Sequence, residues 1–246
     1  MIQLYNDDCK NIIPTLPDKS VDLVVTDPPY QFGNIHGSGM FSESNFEKYG
    51  RSRNIDFLHD LEKLDSVVFN PVEILDMLKP KMKSFYGYFF CNKMLIADYI
   101  NWARKQNYTY DVLVMAKSNP IPAHSTHHVS DLEYIILIRA KGTFFQGKGF
   151  DLDYYRKWFL TGCTKRIHPA EKPLELVKRL INISSPRGGV ILDCYMGSGT
   201  TGVACKELER DFIGVEIDAK FYEICERRIN EASLSEKQLD LFVGEE

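Results

Sequence analysis

Residues 189 to 216 constrain the fold more than any other part of this 246-residue chain. Gly189-Val190-Ile191-Leu192-Asp193 reads as a buried strand. Gly197-Ser198-Gly199-Thr200 reads as a loop opening a helix, and Phe212-Ile213-Gly214-Val215-Glu216 as the next strand. A strand, a glycine turn, a helix and a strand form the unit from which parallel sheets are assembled. The loop Gly-Ser-Gly-Thr-Thr-Gly, residues 197 to 202, fits the dinucleotide pattern G-x-G-x-x-G. Glu216, at the end of the next strand, is placed to accept hydrogen bonds from ribose hydroxyls. Taken alone, this leaves a nicotinamide-dependent oxidoreductase open.

Asp193 argues against that alternative. It ends the strand just before the loop, where a carboxylate repels an approaching pyrophosphate. The same charge attracts the sulfonium and α-ammonium of S-adenosylmethionine. The loop also lacks the Gly-Lys-Ser/Thr ending of a P-loop.

The rest of the chain supplies more strands and helices. A short strand ends at Leu4-Tyr5, and a short helix runs from Asp7-Asp8-Cys9 to near Pro14. Ser20 to Thr26 is a buried strand. Pro71 to Leu78 reads as a helix with Val72, Leu75 and Leu78 on one face. Ser84 to Cys91 is an aromatic strand, Leu95 to Lys105 a helix, and Tyr110 to Met115 and Glu133 to Arg139 are strands. A helix begins with Pro173 at its first position, and another runs from Ala219 to Asn230. The alternation predicts an α/β fold whose mostly parallel sheet is covered by helices on both faces. Residues 31 to 57, rich in Gly, Ser and Asn with weak periodicity, read as a mobile loop. Phe85, Tyr86, Tyr88, Phe89 and Phe90 read as core packing.

Composition narrows the class. Hydrophobic residues make up 44% of the chain, ordinary for a globular protein with one core. There is no run of eighteen apolar residues, and Met1-Ile2-Gln3-Leu4-Tyr5 has no signal-peptide pattern. None of the six cysteines forms a Cys-x-x-Cys pair, so no zinc or redox motif is indicated and a reduced, cytoplasmic chain is expected. Cys194 and Cys205 read as small core residues. His124, His127 and His128 cluster without a fixed partner set for a metal, so no metal is expected there. The net charge is −4, but Arg139 to Arg187 carries eleven Lys/Arg against four Asp/Glu. Glu207 to Glu246 carries five against twelve. Such asymmetry predicts a basic face suited to nucleic acid.

The second motif is Asp27-Pro28-Pro29-Tyr30, directly after a buried strand and therefore at a carboxyl edge, where open α/β sheets bind ligands. An exocyclic amino nitrogen is conjugated with its ring and is a poor nucleophile. Acceptors aimed at its two N–H groups draw the lone pair out of conjugation, and the Asp27 carboxylate with the Pro28 carbonyl forms such a pair. Tyr30 offers a flat face to a base taken out of its stack.

With both motifs in view, the chain resembles the DNA amino-methyltransferases, the adenine-N6 and cytosine-N4 enzymes, which carry Asp/Asn/Ser-Pro-Pro-Tyr/Phe/Trp. It is similar to their permuted β-group, in which the catalytic motif comes first and the cofactor loop last. The resemblance implies a Rossmann-like, circularly permuted, S-adenosylmethionine-dependent methyltransferase fold over residues 1 to 230, with an acidic tail at 231 to 246. It further implies a restriction-modification enzyme acting on double-stranded DNA, with adenine N6 favoured over cytosine N4 because Asp27 heads the motif. A silent DNA-binding module that kept the fold is the remaining alternative.

Residue by residue, the resemblance makes Asp27, Pro28, Pro29 and Tyr30 catalytic. Asn6-Asp7-Asp8-Cys9 resembles the family's Gly-Asp-Cys and puts Asp8 and Cys9 at the cofactor's adenine. His168-Pro169-Ala170-Glu171-Lys172-Pro173 resembles His-Pro-x-x-Lys-Pro and puts His168 and Lys172 near its methionine carboxylate. Asp193, Met196, Gly197, Ser198, Gly199 and Thr200 match the cofactor loop, with Met196 in place of the usual Phe, and Glu216 completes the set. Lys117, Asn119 and Pro120 match a Lys-x-Asn-Pro element beside the base pocket, although Met115 stands where a Trp is usual. Target recognition is expected within 116 to 166. In the tail, Gln238, Leu239, Leu241 and Phe242 resemble the peptide by which bacterial DNA enzymes dock on the replication sliding clamp. A homodimer is left open.

Overall fold

Among the described residues, eight strands make one sheet: β1 (Ile2–Asn6), β2 (Leu23–Thr26), β3 (Tyr86–Cys91), β4 (Thr109–Lys117), β5 (Leu132–Arg139), β6 (Trp158–Thr161), β7 (Val190–Asp193) and β8 (Asp211–Glu216). Their order is β1-β8-β7-β2-β3-β5-β4-β6. β5 is antiparallel to both its neighbours, β3 and β4, and every other pairing is parallel. The computed structural model describes residues 1–29, 69–118, 128, 131–146, 155–161 and 171–232. Tyr30, the loop 31 to 57, Asn119, Pro120, His124, His127, His168 and the tail segment at Gln238, Leu239, Leu241 and Phe242 lie outside the described residues.

The apolar runs in the strands split by period two between two cores. Val24, Phe89, Cys91, Ile136, Ile138, Leu192, Ile213 and Val215 point to one face. Leu23, Val25, Tyr86, Tyr88, Phe90, Ile135, Leu137, Ile191 and Phe212 point to the other. Burial on both faces is why these strands read as continuous apolar runs instead of alternating ones. The first face is covered by the helices α1 (Cys9–Ile12), α2 (Pro71–Leu78) and α3 (Ile96–Lys105). The second is covered by α4 (Leu174–Ser184), α5 (Thr200–Glu207) and α6 (Ala219–Glu231).

Several boundaries differ from expectation for local reasons. Val72 is 37% exposed, and α2 instead buries Pro71, Ile74, Leu75 and Leu78. Pro173 is the N-cap of α4, with ψ 127°, so the helix starts at Leu174. β2 starts at Leu23, because Val21 makes only an isolated bridge to Met82. β6 went unpredicted: Trp158 and Leu160 are exposed on this edge strand, so no buried run marks it. No helix among the described residues is long and apolar enough to cross a membrane.

The topology sets the site. From β7 the chain crosses by α5 to β8 on one side. From β2 it crosses by α2 to β3 on the other side, over the opposite face. The strand order therefore reverses between β7 and β2. Open sheets bind ligands in the crevice beyond the carboxyl ends at such a point.

Candidate active site

Asp193 ends β7 beside that crevice, and Thr26 and Asp27 end β2 on its other side. Asp193 is 4% exposed, and its oxygens are turned inward. Oδ1 accepts from Thr26 Oγ1 at 2.7 Å and from the Tyr195 amide at 3.1 Å. Oδ2 accepts from Thr201 Oγ1 at 2.6 Å. Thr26 Oγ1 also accepts from the Cys194 amide at 3.2 Å. Burial pushes the Asp193 carboxyl up to about 6, against the pull of these hydrogen bonds. The expectation set Asp193 facing the ligand; in the structure it ties the loop to the end of β2.

The loop that follows is rigidly framed. Gly199 caps α5 with φ +85°, and a Cβ there would lie 2.5 Å from Cys225 Sγ. Gly197 also has positive φ, and a Cβ there would meet nothing within 4 Å, so the loop's open side is at Gly197. Glu216, at the end of β8, accepts from the Gly197 amide through Oε2 and from the Asp218 amide through Oε1, both at 2.9 Å. Burial raises the Glu216 carboxyl above its ordinary value. Met196 is packed beneath the loop, its sulfur 3.3 Å from Cys225 Sγ. Its side chain thus supports the loop from the core. From α6, Arg228 donates to the Ser198 carbonyl at 2.7 Å, to Ser198 Oγ at 2.8 Å and to Glu171 Oε1 at 2.6 Å.

Asp27 belongs to a chain of four charges. Its Oδ2 lies 2.5 Å from Lys172 Nζ. Lys172 Nζ is also 3.4 Å from Glu133 Oε2, and Glu133 Oε1 is 2.5 Å from Lys117 Nζ. Pro28 is buried and Pro29 half-buried beyond Asp27. Across the sheet, Asn6 Nδ2 holds the Glu216 carbonyl at 2.8 Å. Asp8 caps α1 through the Lys10 amide at 2.9 Å. Cys9 is buried, and burial pushes its thiol up to about 11.

The carboxyl edge therefore presents Asp8, Asp27 and Glu216 around an open glycine loop. Asp27 is offset there by Lys172, so the charge that disfavours a pyrophosphate comes from Asp8 and Glu216. A family of DNA methylases, N6_N4_Mtase, matches residues 21–227. The chain belongs to this DNA methylase family. It is similar to the Type II methyltransferase M.MthZI of Methanothermobacter thermautotrophicus, at 29% identity over 88% of this chain and 73% of that protein. It is similar also to the Type II methyltransferase M.HinfI of Haemophilus influenzae, at 25% identity over 95% of this chain and 70% of that one. Its fold matches the crystal structure of an M1.HpyAVI–SAM complex, with TM-score 0.68 and 26% identity over 93% of this chain and all of the other.

In this DNA methylase the two sequence motifs meet across one crevice, as their strand-end positions predict. Lys172 and Lys117, expected at the cofactor and at the base pocket, both have their ammonium groups on carboxylates of the Asp27 chain. Sequence reasoning missed Thr26, Thr201, Glu133 and Arg228. Glu133 carried a faint signal, as an acid two residues before the apolar run Ile135 to Ile138. The basic stretch is less free than its charge count. Lys157 pairs with Asp111, Lys172 with Asp27, Lys178 with Glu207 and Arg187 with Glu209.

Proposed function

We propose that this DNA methylase transfers a methyl group from S-adenosylmethionine to N6 of an adenine flipped out of double-stranded DNA. The observation that carries the reading is the Thr26–Asp193 hydrogen bond, which links the Asp27 strand end and the glycine loop across one crevice. S-adenosylmethionine, when bound, supplies an electrophilic methyl on a sulfonium. The residues fit it: Gly197 leaves room for close approach, and Asp8 and Glu216 offer acceptors to its adenosine. Ser198, Gly199 and Thr200 shape the loop, with Met196 beneath it and Asp193 behind it. His168 is assigned to the methionine carboxylate on the resemblance alone.

Asp27 and the Pro28 carbonyl accept the two amino hydrogens of the target base and localise the nitrogen lone pair. Pro29 fixes the turn after them, and Tyr30 stacks on the flipped base. Lys117, Asn119 and Pro120 border the base. No enzyme nucleophile is required. Cys9, Cys91, Cys194, Cys205 and Cys225 are buried, and burial raises each thiol. Adenine is preferred over cytosine because an aspartate heads the motif. The test is to incubate unmethylated genomic DNA with methyl-labelled S-adenosylmethionine and digest it to nucleosides. Label in N6-methyladenine supports the reading; label only in N4-methylcytosine replaces it with the cytosine enzyme.

A further inference from the structure

The reversed direction of β5 has a chemical consequence. Because β5 is antiparallel to β3 and β4, its first residues lie level with the carboxyl ends of those strands. Glu133 is in register with Met115 and Tyr134 with Cys91. Glu133 is thereby carried to the edge where Asp27 leaves β2. Its two oxygens face two lysines, Lys117 at 2.5 Å and Lys172 at 3.4 Å. Lys172 in turn reaches Asp27 at 2.5 Å, with a side chain only 8% exposed.

We infer that Glu133 is a positioning residue for the methyl transfer, holding the Lys172 ammonium against Asp27 so that this ion pair fixes the Asp27 carboxylate where it accepts the amino hydrogens. The inference rests on the Asp27 role proposed above. Two cations and two carboxylates alternate, so the chain is neutral as a whole. Taking out the Glu133 charge tips these four groups toward positive charge and leaves Asp27 as the counter-ion of Lys172 among the described residues.

Among the described residues the groups around this chain are few. Lys172 faces Asp27 from β2, Glu133 from β5 and the Phe90 ring of β3, at 5.3 Å. Lys117 of β4 faces Glu133. Cys91 of β3, Tyr99 of α3 and Asp193 of β7 feel the charge of Asp27. Burial pulls the Lys172 ammonium down, but Asp27 and Glu133 outweigh it and hold the group above its ordinary value. Burial pushes Glu133 up, but Lys172 and Lys117 outweigh it and hold its carboxyl below the usual range. Without the Glu133 charge, one support of the Lys172 proton is gone and burial counts for more.

The experiment compares wild type, Glu133→Gln and Glu133→Asp, using unmethylated genomic DNA and methyl-labelled S-adenosylmethionine, with kcat measured from pH ~7 to ~9.5, below the ordinary lysine range. Wild type and Glu133→Asp give flat profiles, with Glu133→Asp about threefold slower because its carboxylate is shorter. In Glu133→Gln a basic limb appears, and kcat falls about tenfold across the range as Lys172 loses its proton. Calorimetric affinity for S-adenosylmethionine stays within about threefold in all three. A Glu133→Gln profile parallel to wild type overturns the inference, because a merely structural role lowers the whole curve. A basic limb of equal size in Glu133→Asp overturns it too. If Glu133→Gln melts below the assay temperature, all three profiles are taken at a lower temperature at which it is folded, and the same two outcomes decide. Failure of the wild type to label DNA would instead refute the methyltransferase reading itself.

Discussion

Thr26 and Asp193 lie 167 residues apart in sequence and share one hydrogen bond of 2.7 Å, from Oγ1 to Oδ1. Both are buried, and the same hydroxyl accepts from the Cys194 amide. Thr26→Val keeps the shape but removes donor and acceptor together. Two buried partners each lose a hydrogen bond, which costs about 1–3 kcal/mol. Urea denaturation should show that loss, and calorimetry a weaker affinity for S-adenosylmethionine. Thr26→Ser keeps the hydroxyl and should recover most of the affinity. If Thr26→Val binds the cofactor as wild type does, the bond is not what orders the loop.

Arg228 is the other tie on the loop, running from α6 to Ser198 and to Glu171. The Arg228 and Glu171 side chains are 17% and 15% exposed. Arg228→Ala removes a charge-assisted hydrogen bond from the largely buried Glu171 carboxylate and releases the Ser198 carbonyl, so stability should fall by about 1–3 kcal/mol. Affinity for S-adenosylmethionine should fall about tenfold, with kcat at saturating cofactor nearly unchanged, since the interaction is with the binding loop. Arg228→Lys keeps the charge without the planar fork and should restore only part. A variant whose kcat falls while its affinity holds would place Arg228 in the chemistry instead.

The sheet was legible because both its faces are buried. Apolar runs such as Leu23 to Val25 and Ile135 to Ile138 mark two-sided strands, and the helices spaced between the others mark parallel crossovers. Strand ends then predicted where Asp27, Asp193 and Glu216 would gather. What escaped the sequence was partner choice. Nothing local says that the carboxylate of Asp193 turns inward to Thr26 and Thr201, or that Lys172 reaches Asp27 from 145 residues away. Those contacts depend on register and on the reversed strand β5, which periodicity does not reveal. Met196 illustrates the same limit: its place in the loop motif suggested ligand contact, yet Gly214 and Cys225 give it a socket in the core.

Asp27→Ala should abolish methyl transfer, with kcat down by about a thousandfold, because the acceptor of the amino hydrogens is gone. Cofactor affinity should hold, since the glycine loop keeps its contacts to Asp193, Glu216 and Arg228. Asp27→Asn fills the same space but aims a donor where an acceptor is needed, and should be nearly as inactive. Single-turnover assays with labelled cofactor read the chemical step directly. Turnover within tenfold of wild type in either variant would remove Asp27 from the mechanism.

Asp193 gives a prediction whose sign can be worked out. Burial is the main cause of its raised pKa, about 6, with the nearby Asp27 charge adding to the rise and the Thr201, Thr26 and Tyr195 hydrogen bonds opposing it. An unfolded aspartate titrates near ~3.9. Below that value the group is protonated in both states and lends the native fold its full contribution. As pH rises toward about 6, the unfolded chain releases its proton first, so native stability falls and then levels off. The loss is on the order of 3 kcal/mol from a shift of roughly two pK units. Asp193→Asn cannot titrate and stays neutral throughout, with the threonine hydroxyls free to reorient toward its amide. Chemical denaturation of both proteins from pH ~4 to ~7.5 should therefore show wild type losing ground to Asp193→Asn as pH rises, with the gap constant above the upper pKa. The opposite trend, with wild type gaining on the variant, would mean that hydrogen bonds to the carboxylate outweigh its burial. Asp193→Ala lacks any acceptor, so Thr26, Thr201 and the Tyr195 amide are released together. Its affinity for S-adenosylmethionine should fall well below that of Asp193→Asn at every pH.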